Sequence, residues 1–219
     1  MRPVFTDESV MRRTIDSEVL KNPEEMYDNL ELYTRIMQRR AKHYDGFNFG
    51  TASYARDVTG NIKMLGGANY KPFDGSRARV CGEIAKLLGA VDEGDQLGNY
   101  WFLRSPVLNG KPIQSSRPDQ RSLHMCGPCR TTVSGILLPS LTLVMFVGDE
   151  SLPRESMQLS DMNFYHDNPD VPFPDEQSPS EIRDEVVAGL ETIQFQPSVS
   201  VDKIQRIAKR VLPETMRTD

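Results

Sequence analysis

The three cysteines of this 219-residue chain are spaced as Cys81-Gly82-Glu83 and, further on, Cys126-Gly127-Pro128-Cys129. A C-x-E followed by a C-x-x-C offers three thiolates and one carboxylate that is not needed as a ligand. Three protein ligands leave the fourth tetrahedral position of a zinc ion open to water, which is the arrangement of a catalytic site. With no fourth cysteine, a closed all-thiolate structural site is impossible. The spacing predicts Cys81 at the start of one helix and Cys126 and Cys129 at the start of another, where the helix N-terminus favours thiolates. Glu83 then lies in the pocket but off the metal, placed to take a proton from water and deliver it to a substrate nitrogen.

Two other readings use fewer of these residues. Cys-Gly-Pro-Cys alone suits a dithiol redox protein. Such motifs follow a buried strand and an aromatic residue, whereas residues 115–124 are polar, the neighbour is Met125, and Cys81 and Glu83 are left without a role. In the other, His124 completes a structural zinc site with the cysteines, which requires the chain to bend back and again leaves Glu83 idle.

The elements that must hold these side chains follow from periodicity. Asn22-Pro23-Glu24-Glu25 supplies an N-cap, a proline in the first turn and a capping-box glutamate. Met26, Leu30, Tyr33, Met37 and Ala41 then recur at spacings of three and four, predicting a helix to about residue 42. Residues 47–56 and 62–68 read as two strands around the turn at 57–61, and 100–103 as a third. Helices are predicted over 81–88 and 128–138, and the near-continuous apolar run 141–147 reads as a strand covered on both faces. Trp101, the only tryptophan, is expected in the core. Residues 105–124 form a long loop of the kind that carries function. The order of elements makes an α/β domain with helices on a central sheet.

Either side of this domain, residues 1–22 carry only a faint helical period (Val10, Ile15, Val19) and are expected to be an extension. Residues 167–180 hold four prolines and read as a linker. Two amphipathic helices follow, one with Ile182, Val186, Leu190 and Ile193, the other with Val201, Ile204, Ala208 and Val211. Their caps are Ser178 and Ser200, and their apolar faces imply docking on the main domain or on a partner.

Bulk composition narrows the class. The first twenty residues have no apolar segment of a signal peptide, and no apolar run is long enough to span a bilayer. Few, odd-numbered cysteines without such a signal favour a reducing, cytoplasmic setting. Residues 148–219 carry 15 acidic and 7 basic side chains, against 16 and 19 in residues 1–147. The acidity belongs to the tail, so an anionic substrate near the cysteines is compatible with the net charge of −5. There is no strong basic stripe of a nucleic-acid binder.

C-x-E with a downstream C-x-x-C resembles the zinc-dependent cytidine deaminase superfamily, whose signature is His-or-Cys-x-Glu followed by Pro-Cys-x-x-Cys. Cysteine at position 81 is similar to the branch acting on free nucleosides. Phe47-Asn48-Phe49-Gly50-Thr51-Ala52 resembles the family's F-x-V-G-A-A strand, Gly67-Ala68-Asn69 its G-x-N, and Arg130 its C-R-Q. The closing L-x-x-L-x-P-x-x-F is faintly similar to residues 158–164. The resemblance spans residues 24–166. It departs at Met125 in place of proline, Thr131 in place of glutamine, and Lys71 where a sugar-binding glutamate is usual.

The resemblance implies a three-layer cytidine-deaminase-like α/β fold over residues 23–166, a mixed central sheet with helices on both faces, and a C-terminal helical extension over 167–219. It implies Zn2+ on Cys81, Cys126 and Cys129, with Glu83 as the proton carrier. The expected substrate is a pyrimidine nucleoside or nucleotide, enclosed by Phe47, met at its sugar by Asn69, and at its base edge by the peptide groups around Gly82 and Met125. Lys71 reverses the sign of one substrate contact and, with Arg77 and Arg79 nearby, points to a phosphorylated or modified nucleoside. A homo-oligomer, dimer or tetramer, is expected, and no membrane partner. Two alternatives stay open: a deaminase of single-stranded nucleic acid or tRNA that uses Lys111, Arg117 and Arg121, and a non-enzymatic assembly module.

Overall fold

The computed structural model describes residues 9–41, 49–70, 80–104, 107–108, 111–112, 125, 127–139, 142–146, 155–168, 170–171, 177–198, 200, 202–203 and 206. Strand β1 (Val10–Thr14) is followed by a 3-10 turn (Val19–Lys21) and helix α1 (Pro23–Ala41). The proline in its first turn, Glu24 and Glu25 beside it, and Arg39 and Arg40 in the last turn suit both ends of the helix dipole. Strands β2 (Gly50–Arg56) and β3 (Ile62–Ala68) form a hairpin, then α2 (Gly82–Glu93) leads to β4 (Gln96–Leu97) and β5 (Tyr100–Arg104). A small hairpin, β6 (Val107–Leu108) with β7 (Lys111–Pro112), lies within the long loop. Helix α3 (Gly127–Ile136), β8 (Leu143–Phe146), β9 (Glu155–Gln158), α4 (Leu159–Asp167) and α5 (Pro179–Leu190) complete the described elements.

These strands build an open, mixed, seven-stranded sheet in the order β1-β3-β2-β5-β8-β9, with β4 paired to β2. Among the described residues, only its β5–β8 pairing is parallel. A parallel neighbour needs a crossover, and α3 lies on that crossover. The period-2 alternation of strands sorts side chains between two faces. Ala52, Tyr54, Met64 and Phe102 pack with Met26, Tyr27 and Leu30 of α1 and with Ile182, Val186 and Leu190 of α5. Ala55, Leu65, Trp101, Leu103 and Val144 pack with α2, α3 and α4 on the opposite face. Helices therefore cover both faces of the central sheet, as expected, and Trp101 is fully buried.

One segment differs from the sequence expectation. Val10–Thr14 is an edge strand, antiparallel to β3 from Val10↔Gly67 to Thr14↔Lys63, rather than a helical extension. Only Val10 of the five is buried, so its apolar pattern is too short to show a period. Helix α5 docks on the main domain, one of the two places its apolar face implied. Ser178 and Glu181 form a reciprocal capping box at the start of α5, and Arg183 binds Glu24 and Asp28 of α1 while stacking over Tyr27. Beyond α5, Gln196 enters the interior. Its side chain accepts the Leu138 N–H at 2.6 Å and donates to Thr142 Oγ1 at 2.7 Å, and its own N–H reaches the Leu97 carbonyl at 2.8 Å. The second C-terminal helix lies largely outside the described residues.

Candidate metal centre

Helices α2 and α3 begin at the same end of the sheet. There β3 ends at Ala68 and β5 at Arg104, both paired with Gly50 at the start of β2. Cys81 is the N-cap of α2, in extended conformation, and its carbonyl accepts the Ala85 N–H at 2.9 Å. Glu83 follows in the first turn and is 1% exposed. Cys129 sits in the first turn of α3 and is buried. The Cys81 and Cys129 sulfurs and a Glu83 carboxylate oxygen all lie within 4.8 Å of one another. Zn–S bonds of about 2.3 Å in a tetrahedron set two sulfurs about 3.8 Å apart, so this group is close enough to bind a metal ion. Both helix N-termini direct partial positive charge at it.

The start of α2 is pinned from two sides. The Asn69 side chain, one residue past β3, accepts the Gly82 N–H at 2.7 Å in the interior. Tyr70 and Val80 exchange backbone hydrogen bonds of 3.1 and 2.9 Å, closing the neck of the loop between β3 and α2. Burial pushes the Tyr70 phenol up to about 12, so it stays neutral at physiological pH. Gly67 and Gly82 meet backbone to backbone, which sets the helix start directly on β3. At its far end α2 is closed by Gly94 in the left-handed conformation, φ 73°.

Of the residues singled out by sequence, Cys81, Glu83 and Cys129 come together, and Gly82 and Asn69 adjoin them. The Gly82 N–H donates to the Asn69 side chain. Asn69 therefore positions the helix that carries Cys81 and Glu83. Met125 is buried in the same apolar cluster as Tyr70 and Cys129. Arg130, next to Cys129, is buried and reaches the exposed Asp167 carboxylate of α4 at 3.9 Å. Desolvation lowers its pKa and Asp167 opposes that shift. Cys126, Phe47 and Lys71, with His124, lie outside the described residues.

One residue of the site's surroundings escaped the sequence reading. Lys86, one turn after Glu83 on α2, is fully buried. Its Nζ donates to Thr51 Oγ1 at 3.0 Å and lies 3.4 Å from the centroid of the Trp101 ring. Desolvation drives its pKa well below the usual lysine value, and the Glu83 charge works against that shift. A signal was available: Lys86 is four residues after Gly82 and three after Glu83, hence on the same helix face.

Among the described residues no helix is long and apolar enough to cross a membrane. Comparison with known proteins returned no matching family model and no matching curated protein.

Proposed function

We propose that the chain is a zinc-dependent hydrolytic deaminase of a cytosine-type nucleoside or nucleotide, a member of the cytidine deaminase superfamily that it resembles. The observation that carries this reading is the convergence of Cys81, Cys129 and Glu83 within 4.8 Å at two helix N-termini. The donor set suits the metal: two soft sulfurs with a carboxylate beside them, and a third cysteine, Cys126, just before α3 in sequence. Zinc, when bound, would lower the pKa of a coordinated water to about 7 and make it a nucleophile at neutral pH.

The chain's own residues supply the rest. Glu83 is held in the first turn of α2, on a helix fixed by Asn69, so its carboxylate stands beside the sulfurs rather than sampling solvent. There it receives a proton from water and passes it to the departing nitrogen. Water's oxygen becomes the new carbonyl oxygen, the carbon–nitrogen bond breaks, and ammonia leaves. Burial of Glu83 limits the bulk water that could compete for that proton. The dithiol alternative gives neither Cys81 nor Glu83 a role beside Cys129.

Lys71 stands where the family's sugar-reading carboxylate would be, which favours a substrate with added negative charge. The test is ammonia release from cytosine, cytidine, deoxycytidine, CMP and dCMP, alongside metal analysis of the purified protein. The reading requires about one zinc per chain and turnover of at least one cytosine compound, with CMP preferred over cytidine and that preference reduced by Lys71→Glu. A metal-free protein, inert to all five and to added zinc, would sink it.

A further inference from the structure

Lys86 carries its amine into a slot built for an apolar side chain. Strand β3 approaches so closely that a Cβ on Gly67 would lie 2.9 Å from the Lys86 Cβ, which keeps the side chain inside. Strands β2 and β5 face it with Thr51 and Trp101, both fully buried and uncharged. One hydroxyl and one aromatic face do not replace the hydration shell of an ammonium group, which is tolerated in an interior when opposite charge is close. Burial lowers its pKa well below the usual lysine value, and the Glu83 carboxylate, one turn away on the same helix, works against that shift and favours the protonated form.

The neighbouring cluster explains why a cation belongs there. Three thiolates around a dication leave one negative charge, and the Glu83 carboxylate adds a second. Cys129 and Glu83 are buried and Cys81 is half-buried at the starts of α3 and α2, where helix dipoles offset only part of that charge.

Resting on the zinc reading above, we infer that Lys86 is a positioning residue, the internal counter-ion of the Cys81–Glu83–Cys129 centre, whose charge raises that centre's affinity for a divalent metal. Its amine rests on Thr51 and Trp101, so it would act through the field it sets at Glu83 and the sulfurs rather than as a ligand. Outer residues that support a metal site in this way typically change affinity about 10- to 100-fold when replaced.

The experiment measures zinc affinity by chelator competition in wild-type protein, Lys86→Met and Lys86→Gln, at one pH. Urea denaturation of the metal-free proteins and the Co2+ absorption spectrum accompany it. Methionine matches the lysine stem without charge or hydrogen bond, and glutamine keeps a donor for Thr51 without charge. Both variants are expected to bind zinc about 10- to 100-fold more weakly. Metal-free Lys86→Met should be no less stable than wild type, and thiolate-to-cobalt bands at unchanged wavelengths would show the ligand set intact. Wild-type affinity in Lys86→Gln overturns the inference while leaving the zinc reading standing. Failure of both variants to fold also overturns it, assigning Lys86 to packing. Wild-type protein that binds no zinc overturns the zinc reading and this inference together.

Discussion

Gly67 and Gly82 are in backbone contact across the junction of β3 and α2. A Cβ added to Gly67 would lie 2.1 Å from the Gly82 carbonyl oxygen, and one added to Gly82 would lie 2.9 Å from that of Gly67. Neither neighbour is a flexible side-chain tip, so any larger residue must push the helix off the strand. Cys81 and Glu83 ride on that helix end.

Gly67→Ala is therefore expected to lose about 1–3 kcal/mol of stability and to weaken zinc binding in the molecules that still fold. Gly50→Ala is the control. Its Cβ would strike the Gln38 backbone nitrogen at 2.2 Å, on the α1 side of the sheet. It should destabilise comparably and leave zinc affinity of the folded protein intact. Urea midpoints and chelator competition separate the two.

Glu83→Gln preserves the shape of a buried side chain and removes its capacity to carry a proton. Fold and zinc content should be retained, with ammonia release lowered about 10²- to 10⁴-fold. Turnover at the wild-type rate would show that Glu83 is not the proton carrier.

Asp95, just past the end of α2, has a fully buried carboxylate 2.8 Å from Lys63 Nζ. Desolvation raises its pKa above the ordinary 3.8, outweighing Lys63 and Arg12, which pull it down. The folded state thus holds this proton more tightly than the unfolded state. Its contribution to stability is fully present below pH 3.8 and is lost as pH rises through the raised value. Asp95→Asn, which cannot ionise, should flatten that limb in a plot of denaturation midpoint against pH. An unchanged slope would place the titration elsewhere.

Gln196 is 4% exposed and satisfies polar groups on both sides of the α3–β8 connection. Gln196→Ala strands the Leu138 N–H and removes the bond that the Thr142 hydroxyl accepts, although that hydroxyl still donates to the Leu138 carbonyl. The expected loss is about 1–3 kcal/mol in thermal or urea denaturation. Removing everything after residue 176 should be far more damaging, because Ile182, Val186 and Leu190 would leave α1 uncovered. A stable, cooperatively folding product of that truncation would contradict this packing.

What could be read from the chain follows physical signal strength. Helix α1 has a strong apolar period with capping residues, and its sequence bounds agree with the structure to about a residue. The β3 span matches at both ends. Cys81 and Cys129 were recognisable because ligand spacing is a local property, and the helix starts that bring them together are local too. Strand β1 was not legible: its partner β3 is some fifty residues away, and Arg12 and Arg13 make its face polar. Strand β9 and helix α4 were missed for a similar reason, as nine-residue α4 has little apolar asymmetry. Lys86 was hidden because a lysine in a helix is usually at the surface, and only the sheet packed against it reverses that expectation.

The insertion of Gln196 sets an order of events during biosynthesis. Cys81, Glu83 and Cys129 leave the ribosome long before residue 196, yet the end of the helix bearing Cys129 is tied down through the Leu138 N–H by that late residue. The β1–β3 and Leu97–Gln196 contacts likewise span long stretches of chain, and such closures slow folding. A nascent chain therefore carries its thiols through synthesis in an incompletely fastened fold. A metal ion held by these thiols would be captured in final form only after the strap emerges, and until then the thiols are open to oxidation.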